Sequence, residues 1–151
     1  MNPLHHRFNE EKGEFELHHD YLFYLNYNDG FTEKLLNISL YVNLAHGFKI
    51  IISAFMQNEL QFEGQVPEDI IKLYKEFVTH KSLIKGQYFD GNLTACDAGS
   101  YMYLFNSEGK TNILSFSRQD FNDISNYNIE DQLFLNFHKA VSKWAFSFFK
   151  D

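Results

Sequence analysis

From Phe15 to Tyr27 the chain alternates. Phe15, Leu17, His19, Tyr21, Phe23, Leu25 and Tyr27 take the odd positions, with Glu16, His18, Asp20 and Asn26 between them. Successive side chains of a strand point to opposite faces, so this period of two predicts a half-buried strand with its odd face inward. Asn28-Asp29-Gly30 then supplies a turn. A second alternation sets Leu36, Ile38, Leu40, Val42 and Leu44 against Asn37, Ser39, Tyr41 and Asn43. A strand is the better reading, although a helix capped by Thr32 would also bring Leu36, Leu40 and Leu44 onto one side. Beyond Ala45-His46-Gly47, the run Phe48 to Met56 holds Ile50, Ile51 and Ile52, whose β-branched side chains favour a third strand. Three such strands make an antiparallel meander.

The period then changes. Pro67, Glu68 and Asp69 suit a first helical turn, and Ile70, Ile71, Tyr74, Phe77 and Val78 follow at helical spacing towards a stop at Gly86. Tyr101 to Phe105 and Thr111 to Phe116, separated by Asn106-Ser107-Glu108-Gly109-Lys110, predict a hairpin. Leu133, Phe134, Phe137, Val141, Trp144, Ala145 and Phe148 predict a long last helix from about Ile129 to Phe149. Its apolar face is widened by Leu135, Phe146 and Phe149, so it is expected to be buried on more than one side or to await a partner, with Trp144–Phe149 able to dock a second copy. The elements do not alternate strictly. The expected fold is α+β: an antiparallel sheet of about five strands, meander plus hairpin, with two main helices packed on one face.

Length and composition bound the rest. A chain of 151 residues with 44% apolar and 22% charged residues fits a single α+β domain, here 14–151, behind a polar segment 1–13 expected to be mobile. Aromatic residues reach 18%, seventeen of them Phe, which supplies core and leaves rings to spare as interface anchors. A lone cysteine, Cys96, forms no internal disulfide, and Met1–Arg7 lacks the apolar stretch of a secretion signal. No run approaches the length that spans a bilayer. A cytoplasmic protein without membrane attachment is expected.

Reactive constellations are sparse. His18-His19-Asp20 is dense in metal-ligating groups, but on a strand His18 and His19 would point to opposite faces, so no metal is expected there. His18 and Asp20 would share a wet face with Glu16. Asp97 disfavours a thiolate at Cys96, which reads as a packing or loop residue. Paired carboxylates occur at Glu10 and Glu11, Glu14 and Glu16, Asp120 and Asp123, and Glu130 and Asp131. The last four precede or open the final helix, where they cap it or complement its dipole, and capping or solvation rather than catalysis is expected of each pair. Neither Gly-x-Gly-x-x-Gly nor a P-loop occurs, so no cofactor is expected.

Thirteen Lys and Arg against twenty Asp and Glu leave a net charge of −7, which disfavours direct nucleic-acid binding and favours a cationic partner. The expected function is therefore non-enzymatic: an acidic binding protein that masks a basic protein by steric occlusion. Small acidic immunity proteins that block cationic toxin nucleases share this size and charge. Expected contacts are Glu16, His18 and Asp20 on the wet strand face and Asp120 and Asp123 before the last helix. The alternative is a small-molecule or enzymatic domain with a cavity between sheet and helices, lined by residues such as Tyr21, Tyr101 and His19.

Overall fold

Both alternating segments form strands, and the chain runs β1 (His6–Asn9), β2 (Glu14–Leu17), β3 (Tyr21–Asn28), β4 (Asn37–Asn43), β5 (Gly47–Ser53), β6 (Leu60–Gln65), α1 (Glu68–Thr79), β7 (Gly86–Gln87), β8 (Ser100–Ser107), β9 (Lys110–Ser117) and α2 (Ile129–Phe146). This computed structural model describes residues 6–29, 35–79, 86–87, 99–107, 110–117 and 129–149. The main sheet has the order β6-β5-β4-β3-β8-β9-β7. Its neighbours are antiparallel except the two-residue β7, which runs parallel to β9. Meander and hairpin join at β3 and β8, where Phe23 lies opposite Phe105 and Tyr27 opposite Tyr101. β1 and β2 form a separate two-stranded sheet.

The architecture is the expected α+β, with helices on one face, and the sheet is wider than expected. The added strands are the two-residue β7 at one edge and, at the other, β6, whose Leu60, Phe62 and Gly64 alternate too briefly, and without β-branched support, to announce a strand. Every residue of β6 is exposed. Phe48 of β5 lies opposite Gly64, and a Cβ on that glycine would sit 3.0 Å from Phe48 Cε1, so the ring occupies the space a side chain would take.

A larger departure lies at Phe15–Tyr27. The alternation predicts one strand; the chain instead turns at His18–Asp20 and divides into β2 and β3. A register slip between Tyr21 and Phe23 then places Tyr21 on the opposite face from Phe23. Tyr21 thus lies 5.5 Å from Tyr41, ring to ring, outside the main core. Within 1–13, His6–Asn9 pairs with β2 as a strand.

The main core fills the layer between sheet and helices. Phe23, Phe77, Phe105, Phe116, Phe134, Phe137 and Tyr103 are fully buried there. Phe77 meets Phe105 at 5.4 Å and Phe134 at 5.3 Å, both edge-on, and Tyr103 stacks on Phe105 at 5.3 Å. Such pairs contribute about 0.5–1.5 kcal/mol each beyond their buried area. The abundance of Phe is thus largely spent on packing, and rings occupy the layer where the alternative reading places a cavity. The breadth of α2 is also taken up within the chain. Trp144 packs edge-on against Phe48 at 4.7 Å, Phe146 against Tyr27 at 4.8 Å, and Phe148 beyond the helix lies 5.1 Å from Phe62.

One polar pair sits inside this apolar layer. Tyr103 Oη and His138 Nδ1 are hydrogen-bonded at 2.6 Å, with Tyr101, Phe116 and Phe134 around the imidazole. Burial lowers the His138 pKa from 6.5 to about 3, and Lys139 acts in the same direction. Between those values the unfolded chain binds a proton that the folded protein refuses. Stability therefore falls as pH drops from about 6.5 towards 3, by up to about 1.4 kcal/mol per pH unit, and the group adds no pH dependence above that window.

Urea melts between about pH 7 and about pH 4 are expected to show this slope, and Tyr103→Phe/His138→Phe to flatten it. An unchanged slope in the double variant would exclude His138 as its source. Close packing gives a second expectation. A Cβ on Gly99 would lie 2.6 Å from Tyr27 Cε1 and Cζ, and Tyr27 is buried between Tyr101 and Phe146. Gly99→Ala is expected to cost about 1–3 kcal/mol and lower the melting temperature by several degrees; an unaltered melting temperature would contradict this packing.

Candidate functional site

The face of the sheet away from the helices is not wholly polar. Tyr24, Tyr41 and Leu104 project from it and are buried, because the β1–β2 hairpin lies over them and adds Leu17 and Phe15 to the cluster. Alternation within the hairpin explains its placement. His6, Phe8, Phe15 and Leu17 share one face, and Arg7, Asn9 and Glu16 the other. His6 stacks on Tyr24 at 4.4 Å and is hydrogen-bonded through Nδ1 to Tyr41 Oη at 2.7 Å. Burial raises the pKa of both tyrosines, so each phenol keeps its proton.

On the outer face Arg7 lies opposite Glu16, and Phe8 meets Phe15 edge-on at 5.1 Å behind it. Glu16 accepts hydrogen bonds from Asn9 Nδ2 at 2.8 Å and Arg7 Nε at 3.1 Å. These two donors hold its pKa below the ordinary carboxylate value, the Asn9 bond being the stronger cause. At the tip Glu10 and Glu11 are exposed, and Phe8 keeps 51% of its surface in solvent. A shallow groove of about 380 Å³ is lined by Arg7, Phe8, Asn9, Glu10 and Glu11. Residues 6–20 carry five carboxylates against Arg7 and Lys12, a net −3 of the −7 for the whole chain.

The exit from the hairpin is a tight, pinned turn. Tyr21 N donates to His18 O at 3.1 Å. Asn106 Nδ2, on β8, reaches the carbonyl oxygens of Leu17, His18 and Tyr21 at 3.2, 2.9 and 3.0 Å. Thr111 Oγ1 donates to Asn106 Oδ1 at 2.8 Å and accepts from Leu17 N at 3.0 Å. Two polar residues of the C-terminal hairpin thus fasten the point where β2 becomes β3. His18, His19 and Asp20 project from this turn, all exposed.

The structure therefore rearranges the expected contact residues. Glu16, His18 and Asp20 do not share a strand face, because the turn ends the strand before His18. Glu16 is engaged across the hairpin by Arg7, while His18 and Asp20 are adjacent in the turn, with His18 Nδ1 3.5 Å from Asp20 Oδ2. Asp120, Asp123 and Cys96 lie outside the described residues. Among the pocket residues of the alternative reading, Tyr101 is in the main core, Tyr21 on the opposite face and His19 in the turn, so they line no common cavity. Glu10 and Glu11 stand out in the sequence only as a solvated carboxylate pair, and Phe8 not at all, although the alternating His6, Phe8 and Phe15, Leu17 about a polar tip is the pattern of a hairpin. A second groove, about 840 Å³, runs past His46, Val66, Glu68, Ile71, Lys72 and Glu76 on the outer side of α1. Glu68, Lys72 and Glu76 recur there at four-residue spacing, the pattern of a solvated helix face.

No protein-family model matches the chain, and no curated protein matches it in sequence. No helix among the described residues is long and apolar enough to cross a membrane.

Asn106→Ala is expected to lower stability by about 1–3 kcal/mol through its unsatisfied carbonyl partners, and to speed amide exchange at Tyr21. Exchange at Tyr21 equal to that of the parent protein would show that Asn106 does not hold the turn.

Proposed function

We propose that this protein is a non-enzymatic acidic binding protein that masks a basic protein partner by steric occlusion, with the β1–β2 hairpin as its contact. The observation that carries this reading is the half-exposed Phe8 ring set beside the solvent-facing carboxylates of Glu10 and Glu11. An aromatic anchor within a charged rim is the usual anatomy of a protein contact: the ring supplies affinity on desolvation, and the charges steer encounter and select the sign of the partner. The hairpin is fastened to the sheet by buried tyrosines and by the Asn106–Thr111 pair, so it meets a partner with little ordering left to do. His18 and Asp20 are exposed at the opposite end of β2 from this tip. Arg7 already answers Glu16, which leaves the tip carboxylates to meet the partner's Lys or Arg.

A cationic toxin nuclease is the partner class that this charge and size fit best, met in the cytoplasm where Cys96 stays reduced. The protein would cover the basic groove by which such an enzyme holds nucleic acid, and so act without chemistry of its own.

The test is quantitative affinity capture from the native host, comparing the full chain with Glu10→Lys/Glu11→Lys and with Phe8→Ala. The parent protein is expected to retain a stoichiometric basic protein that elevated salt releases. The charge reversal should slow association about tenfold or more, and Phe8→Ala should mainly hasten dissociation, with melting temperatures little changed. Absence of a stoichiometric basic partner, or capture indifferent to both variants, would overturn the proposal.

A further inference from the structure

We propose that the turn His18-His19-Asp20 is a binding site for a divalent cation of the imidazole-preferring kind, with Zn²⁺ as its type. The inference stands apart from the partner reading and is tested without any partner. One ligand atom from each of the three residues lies within 4.8 Å of the other two. Asp20 Oδ2 is 3.5 Å from His18 Nδ1, and Asp20 Oδ1 is 3.3 Å from His19 Nε2. A tetrahedral ion with bonds of about 2.1 Å places its ligands about 3.4 Å apart. Each imidazole therefore already stands at about that distance from one of the two Asp20 oxygens, and rotation of the carboxylate and rings would have to bring one ligand atom of each residue to a common ion.

The imidazoles stack with centroids 4.3 Å apart on an exposed turn, where side-chain rotation would have to bring their nitrogens to one ion. His18 Nδ1 accepts a hydrogen bond from the Asp20 amide at 3.2 Å. On an exposed turn water takes over that amide when the nitrogen swings to a metal. Two imidazoles and one carboxylate make a three-ligand set, and the remaining positions face solvent, open to water or to a donor from another molecule.

A second, independent feature is the support beneath. Asn106 binds the carbonyl oxygens on both sides of the turn, and Thr111 orients Asn106 in turn. Asn106 and Thr111 thus fix the backbone from which the three ligands project, rather than the ligand side chains themselves. A strand would have sent the two histidines to opposite faces; the turn is what brings them together.

The test is calorimetric titration of the chelator-stripped full chain with Zn²⁺ at neutral pH, followed by Co²⁺ absorption and by histidine ring signals in NMR. The expected result is one ion per chain, shifts at the His18 and His19 rings, and full reversal by chelator. His18→Ala/His19→Ala should lose the site, Asp20→Asn should weaken it about tenfold or more, and Asn106→Ala should weaken it measurably with all three ligands present, by loosening the turn that carries them. Asp20→Asn alters only an exposed carboxylate and keeps the test decisive should the double variant fold poorly. No uptake by the parent protein, or uptake unchanged in the variants and carried by the five other histidines, would overturn the inference.

Discussion

Everything on the outer edge of this molecule depends on burying three side chains that face away from the helices. Tyr24, Tyr41 and Leu104 lie on the far face of the sheet, where alternation normally places polar residues. Left open, they would form an apolar patch in the middle of a wide sheet. The first strands of the chain cover them, and His6 seals the contact by stacking on Tyr24 and hydrogen bonding to Tyr41. The protein is therefore three layers deep at its centre: helices, sheet and hairpin.

This layering ties packing to surface chemistry. Because the hairpin must lie flat over the tyrosines, its opposite face and its tip turn to solvent, and these are the places that carry Glu10, Glu11 and the Arg7–Glu16 pair. Because β2 must then leave the hairpin and enter the main sheet as β3, the chain has to bend sharply within three residues. Asn106 and Thr111 hold that bend, and the bend brings His18, His19 and Asp20 to one point. The acidic tip and the cation-binding turn are thus two consequences of one covering act.

The sequence reveals the main sheet and helices well and this edge poorly, for physical reasons. Leu36 to Leu44, Tyr101 to Phe116 and the α2 stripe are long, strongly periodic and anchored by large buried residues, so their pattern survives in the fold. The edge strand β6 is short and exposed, and what holds it is its pairing with β5, which no local pattern reports. The division of Phe15–Tyr27 is the more instructive failure. Alternation runs unbroken through His18–Asp20, yet the turn is imposed from about ninety residues away by Asn106. A long-range hydrogen bond thus overrides a local period of two, and with it the assumption that Glu16, His18 and Asp20 share a face. The aromatic abundance misleads in the other direction: most of those rings close the core, and Phe8 is the one this account assigns to a partner.

The central claim, that the first strands are clamped to the far face of the sheet, is tested most directly by native-state amide exchange resolved by residue. Leu17 is expected to exchange as slowly as neighbouring amides of β3 and β4, since its N–H is bonded to Thr111 and it is buried beneath the tyrosine cluster. Exchange of this amide at the rate of an unstructured chain would contradict the clamp.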